Sequence, residues 1–173
     1  VRLTKDIKKE YEKIYGKVPD IQIQYWFMLL AERLIKPDGF INYIIPNSIM
    51  FNVLAEAFRK RLLDNKNIVS LIDCSPFDIF EHAKVRNVII TMSKIENDKI
   101  KKIPCQKVEN IENLLNKKIE LLDINTLYTF IRNWSLIYLK PKENLNIVKK
   151  ISENKNYSSE IASTGQPAAH APQ

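Results

Sequence analysis

Tyr25-Trp26-Phe27-Met28-Leu29-Leu30-Ala31-Glu32-Arg33-Leu34-Ile35 runs into Lys36-Pro37-Asp38-Gly39, and Phe40-Ile41-Asn42-Tyr43-Ile44-Ile45 runs into Pro46-Asn47-Ser48. The first run is apolar around much of a helical circumference, so it predicts a helix covered on most sides, with Asp20 as its cap. Lys36 to Gly39 is turn chemistry. Phe40 to Ile45 is short, largely apolar and bounded by Gly39 and Pro46, the profile of a buried parallel strand. Asn47 or Ser48 can cap the next helix, in which Leu54, Phe58, Leu62 and Leu63 are expected to face the sheet while Arg59, Lys60 and Arg61 face water. Ile68 to Asp73 is the second strand, reached by a right-handed crossover. Val85 to Met92 is a third. The loop from Cys74 to Lys84 is too short for another crossover helix, so the third strand is expected to return antiparallel.

Upstream, Thr4 to Tyr15 reads as a helix capped by Thr4, with Ile7, Tyr11, Ile14 and Tyr15 on one face and Gly16 and Pro19 ending it. Downstream, Lys101 to Val108 can form one more strand. Beyond it the chain is rich in Asn, Lys and Leu without clear period, which places a domain boundary or linker between about Lys107 and Trp134. Asn144 to Ile151 has the pattern of a short helix, and the stretch from Ser163 that of a chain end. The expected domains are therefore 1–107 and 108–173.

The 173 residues carry 45% hydrophobic residues, enough for one core. No run approaches the roughly 18 apolar residues of a membrane span, and the polar start Val1 to Asp6 is unlike a signal peptide. Cys74 and Cys105 have no partner pattern for a disulfide framework or a metal site, which suits a reducing cytoplasm. A net charge of +7 and a pI near 9.3 admit a polyanionic partner without requiring one, because charge runs such as Glu96 to Lys102 are usually solvated faces.

The residues by themselves name no chemistry. Three glycines exclude a Gly-rich phosphate loop, His82 and His170 are isolated, and no nucleophile stands near a base. The ordered set is more informative: Phe27, then Leu34-Ile35-Lys36-Pro37-Asp38-Gly39, Ile44-Ile45-Pro46-Asn47-Ser48, Phe58, Arg59, Leu62, Leu63, Ile72-Asp73, Phe80 and Asn87-Val88-Ile89-Ile90-Thr91. Over about Val1 to Lys94 it resembles the second half of the catalytic domain of adenine-specific DNA methyltransferases, the gamma, type II/IIG restriction-modification family whose catalytic motif is Asn-Pro-Pro-Tyr.

The resemblance implies an α/β fold: the distal half of a Rossmann-like, S-adenosylmethionine-dependent methyltransferase sheet with an antiparallel strand, followed by the start of a second region. In that family the strand at Val85 to Met92 lies between those at Phe40 and Ile68. The resemblance places Phe27 on the adenine ring of S-adenosylmethionine, the alternative being a core phenylalanine. It places Phe80 on a target adenine flipped out of the duplex, the alternative being a loop anchor like Phe77. Lys84 and Arg86 become candidates for DNA phosphate, or merely solvate the strand's start. Many family members have Asp at Gln22 and Gly at Asp38. The Gly-rich cofactor loop and Asn-Pro-Pro-Tyr, which normally precede the segment at Val1, are absent. The chain therefore contains no catalytic motif and no metal site, and the N-terminal half of the catalytic domain is the implied partner, along with double-stranded DNA. The rival readings are a non-catalytic α/β module that binds DNA or assembles with a partner subunit, and a methyltransferase for RNA or a small molecule.

Overall fold

The computed structural model describes residues 4–65, 68–94, 101–116, 119–138, 147 and 150. The chain divides into two compact units, Val1–Tyr138 and Leu139–Gln173. Apart from Ile147 and Lys150, both helical, the helix expected at Asn144 to Ile151 and the end after Ser163 lie outside the described residues.

The first unit is built on a five-stranded sheet. Its strands are β1 (Phe40–Pro46), β2 (Ile68–Asp73), β3 (Asn87–Ser93), β4 (Lys102–Lys107) and β5 (Leu121–Asp123), in the order β1-β3-β2-β4-β5. β3 is antiparallel to both β1 and β2 and lies between them, the arrangement expected from the sequence. β4 is parallel to β2 and β5 is antiparallel to β4, so the sheet continues past the three strands that the resemblance covers. β1, β2 and β4 thus run one way. Opposed residues share a face: Ile45 with Val88, Tyr43 with Ile90, and Leu71 with Ile90 and Cys105. That face is buried. The other carries exposed Phe40 and Ile44 and a hydrogen-bonded row in which Ser70 Oγ and Thr91 Oγ1 meet at 2.7 Å and Thr91 Oγ1 donates to Asn42 Oδ1 at 2.7 Å.

The helices are α1 (Lys5–Tyr15), α2 (Ile23–Leu34), α3 (Ser48–Phe51), α4 (Glu56–Asp64), α5 (Ile111–Asn116) and α6 (Ile124–Thr129). Thr4 caps α1 as expected, accepting from Ile7 N–H at 3.4 Å, and Gly16 ends it at φ 91°. Asp20 does not cap α2. It sits in a 3-10 turn, Pro19–Ile21, and the helix begins after Gln22. Asp20 and Ile21 both have positive φ, 49° and 52°, which is strained for a β-branched residue. Between α2 and β1, Gly39 N–H bonds Lys36 C=O at 2.9 Å, with Pro37 in the second position and Asp38 at φ 58° in the third. That position asks for a positive φ, which is why glycine suits it and an aspartate is tolerated.

The helix expected after Asn47 is broken. α3 stops at Phe51, a 3-10 turn spans Val53–Ala55, and α4 follows. The break rotates Leu54 outward, to 66% exposed, whereas Phe58, Leu62 and Leu63 are buried as expected. Arg59 corrects the sequence reading more sharply, because it is fully buried rather than in water. Its guanidinium donates to four main-chain carbonyls: Ile49 and Asn52 at 2.8 Å each, and Ile131 and Arg132 at 2.7 Å each. Trp134 lies 5.8 Å from it, ring to guanidinium. Burial pulls its pKa down from the ordinary value, with Tyr25 and Glu56 opposing.

The compact unit extends to Tyr138. Leu127, Phe130, Trp134 and Ile137 are buried, Trp134 Nε1 donates to Leu127 C=O at 3.1 Å, and Tyr138 hydroxyl donates to Leu71 C=O at 3.3 Å. Large aromatics that bury their rings and pair their polar ends anchor this strip where its weak period gave no sign of order.

Leu62 and Leu54 give a direct test of the broken helix. Leu62→Ala is expected to cost about 2–5 kcal/mol of unfolding free energy, and Leu54→Ala less than about 0.5 kcal/mol, by urea denaturation. Equal losses would mean a continuous helix.

Candidate functional site at the carboxyl end of the parallel strands

Open α/β sheets bind ligands beyond the carboxyl ends of their parallel strands. Here those ends are Pro46 of β1, Asp73 of β2 and Lys107 of β4. Pro46 is paired with Asn87, Asn47 N–H bonds Arg86 C=O at 2.8 Å, and Cys74 N–H bonds Asn87 C=O at 3.0 Å. The turn after β1 and the loop 74–86 therefore meet at one end of the sheet. Asp73, itself buried, accepts Ser75 N–H at 2.9 Å and faces Lys107 at 3.9 Å.

The loop is folded on itself. Phe80 and Ala83 form an antiparallel bridge, Val85 N–H bonds Ala83 C=O at 2.8 Å, and Arg86 pairs with Asp78 at 3.7 Å. Phe77 is half-buried and Phe80 is 46% exposed. Lys84 and Arg86 are exposed on the same loop.

Phe27 stands on α2 and is 52% exposed. It belongs to a stripe at helical spacing: Ile23, Phe27 and Leu34 are exposed and Leu30 is half-buried. Its carbonyl accepts the Tyr43 hydroxyl at 3.0 Å, and Gln24 Nε2 donates to Ser48 Oγ at 3.3 Å. The first turn of α2 is thereby tied to the turn after β1, and Phe27 follows less than one turn later.

Reading the sequence missed a polar group behind this rim. The Asn52 side-chain amide donates to the Asp20 carboxylate, and Asn52 Oδ1 accepts Leu54 N–H at 3.0 Å, stapling the strained turn before α2 to the one before α4. Among the described residues the buried Tyr25 hydroxyl has no hydrogen-bond partner within normal geometry, and burial raises its pKa against the opposing effect of Asn52 and Gln24. Spacing alone could not reveal this group, because its members are brought together by the break between α3 and α4. A shallow apolar groove of about 360 Å³, lined by Leu30, Leu34, Lys36, Gly39, Phe40 and Tyr43, lies toward the opposite end of β1 and plays no part here.

Residues 2–80 match the Eco57I restriction-modification methylase family. Over this stretch the chain is similar to restriction-modification methylases. Over 76 residues, 44% of the chain, it is 34% identical to a Methanocaldococcus jannaschii protein named as a type II restriction enzyme and methyltransferase. Two solved structures share the fold. The type IIG restriction endonuclease BpuSI matches over 79% of the chain at 16% identity, with a TM-score of 0.59. The type I restriction-modification methyltransferase subunit from Streptococcus thermophilus matches over 76% at 17% identity, with a TM-score of 0.57. The chain corresponds to only a small part of each: 6% of the archaeal protein, 19% of BpuSI and 33% of the subunit. Among the described residues no group of three or more His, Cys, Asp or Glu is placed to hold a metal ion, and no helix is long and apolar enough to cross a membrane.

Cys74 and Cys105 are buried near this end, and burial pushes their thiols up to about 11 and about 12, with Asp73 adding to the shift of Cys74. Only the thiolate is nucleophilic, so both should resist iodoacetamide at pH 8 in the folded chain and react after unfolding. Fast labelling of the folded chain, followed by mass spectrometry, would show a more open structure.

Proposed function

We propose that this chain is the distal half of the catalytic sheet of a site-specific DNA adenine methyltransferase of a restriction-modification system, continued into the start of its target-recognition region. The observation that carries this reading is the β1-β3-β2 order with β3 antiparallel in the middle, joined to methylase sequence over 2–80. Residues 1–107 would belong to the catalytic domain and 108–173 to the linker and recognition region. The strip 121–138, although packed with the catalytic sheet, would serve as the lead into recognition.

S-adenosylmethionine would supply the electrophilic methyl group on its sulfonium. Phe27 fits as one wall of its adenine site, because its ring is half exposed on an outward stripe beside the sheet edge formed by β1. The Gly-rich loop and Asn-Pro-Pro-Tyr would come from an upstream half of the domain seated along β1 and the Ile23–Leu34 stripe. Phe80 would stack on the flipped adenine. Lys84 and Arg86 would meet phosphates beside it, Arg86 exchanging Asp78 for the backbone. The free, buried cysteines are compatible with a cytoplasmic enzyme.

Two measurements test this reading. The isolated chain is expected to transfer no methyl group and to give no micromolar S-adenosylmethionine binding by titration calorimetry, whereas the full-length protein should methylate adenine in duplex DNA. Micromolar binding by the chain alone would move the cofactor site, and a full-length protein inert on DNA would favour an assembly module.

Phe80→Ala in the full-length protein provides the second measurement. Loss of a stacking contact worth about 1–3 kcal/mol should slow methylation by about ten- to a hundredfold, with cofactor affinity and melting temperature nearly unchanged. Normal turnover in a normally stable variant would remove Phe80 from the base site.

A further inference from the structure

Arg59 joins two places that sequence keeps apart. On one side it holds the carbonyls of Ile49 and Asn52 at 2.8 Å each, in and at the end of α3, the short helix whose first residue, Ser48, follows the turn after β1. On the other it holds the carbonyls of Ile131 and Arg132 at 2.7 Å each, more than seventy residues away, at the head of the strip that ends at Tyr138. Both sides are main chain, so the guanidinium fixes backbone position whatever side chains surround it. Its planar fork sets the two carbonyl pairs at a defined separation, which a lysine ammonium cannot reproduce. The tie is braced on both sides. Asn52 reaches back to Asp20 and Ser48 to Gln24 at the start of α2. Beyond Arg132, Asn133 Oδ1 accepts Ser135 N–H at 3.0 Å and Ser135 hydroxyl at 2.6 Å, while Trp134 covers the guanidinium.

We propose that Arg59 is a positioning residue that sets the chain leading toward the target-recognition region in register with the rim of the base and cofactor site. This rests on the methyltransferase reading given above. The tie transmits the position of the strip to the rim through four hydrogen bonds, so a displacement at one is felt at the other. Arg59 is fully buried and its hydrogen bonds go to main-chain carbonyls, so its effect on the site would be exerted through the backbone it holds.

The experiment uses the full-length protein and two duplexes, the recognised sequence and one with a single base pair changed. Arg59→Lys keeps the charge and loses the fork. It should lower the ratio of kcat/KM between the two duplexes by about tenfold, within the discrimination that one base pair ordinarily supplies. Asn133→Ala, which loosens the strip and leaves Arg59 untouched, should lower the ratio in the same direction to a smaller extent. If Arg59→Lys does not fold, Asn133→Ala decides alone. A purely structural role predicts lower melting temperatures with the ratio unchanged, and that result overturns the inference while leaving the methyltransferase reading standing. A wild-type protein that methylates neither duplex overturns both.

Discussion

The antiparallel insertion of β3 between β1 and β2 is the constraint on which the arrangement rests. A strand in that place must satisfy backbone groups on both sides, and its register against β1 runs unbroken from Phe40–Ser93 to Pro46–Asn87. Because β3 runs against its neighbours, the connection from β2 needs only to cross the end of the sheet. The loop 74–86 therefore opens beside the turn after β1, and Phe80, Lys84 and Arg86 are delivered to the carboxyl ends of the parallel strands. A parallel third strand would need a crossover connection of a dozen or more residues, usually a helix, and the loop would then belong to a different part of the molecule.

Burial of Arg59 is the second commitment. An isolated charge in the interior is very costly unless paired or thoroughly hydrogen-bonded. Here the guanidinium is solvated by four carbonyl dipoles, with Glu56 adding a favourable field. Two of those carbonyls, Ile49 within the single turn of α3 and Asn52 at its cap, lie at the break between α3 and α4, so the helix break and the buried arginine support each other. The same group draws residues 131–132 onto α4, carrying the compact unit to Tyr138 instead of stopping at β4.

Among the described residues no strand lies beyond β1, and nothing covers the stripe Ile23, Phe27 and Leu34. Edge strands in soluble proteins are usually short, charged, bulged or interrupted by proline. β1 has seven residues, no charge and a proline only at its last position. Its exposed Phe40 and Ile44 add to an apolar margin of the kind that marks an interaction surface. An upstream half of the catalytic sheet, as proposed, would bury this margin and complete the cofactor site on the same side, which gives Phe27 two compatible reasons to face outward.

By itself, the sequence determined the local elements and their order. The apolar run Phe40 to Ile45, the Pro37-Asp38 turn, the Thr4 cap and the short loop before β3 are each governed by near neighbours, so period and turn chemistry suffice, and the family resemblance followed from that order. The exposed positions of Phe27 and Phe80 were left as alternatives, because a helix period or a loop position does not say what covers a ring. Tertiary structure alone decided the fate of Arg59. The sequence reading put it in water with Lys60 and Arg61 because of its charge, whereas the carbonyls of Ile49, Asn52, Ile131 and Arg132 hold it in the interior. The same holds for Leu54, for the Asp20–Asn52 staple and for the ordered strip up to Tyr138: each depends on groups distant in sequence, whose meeting no local pattern encodes.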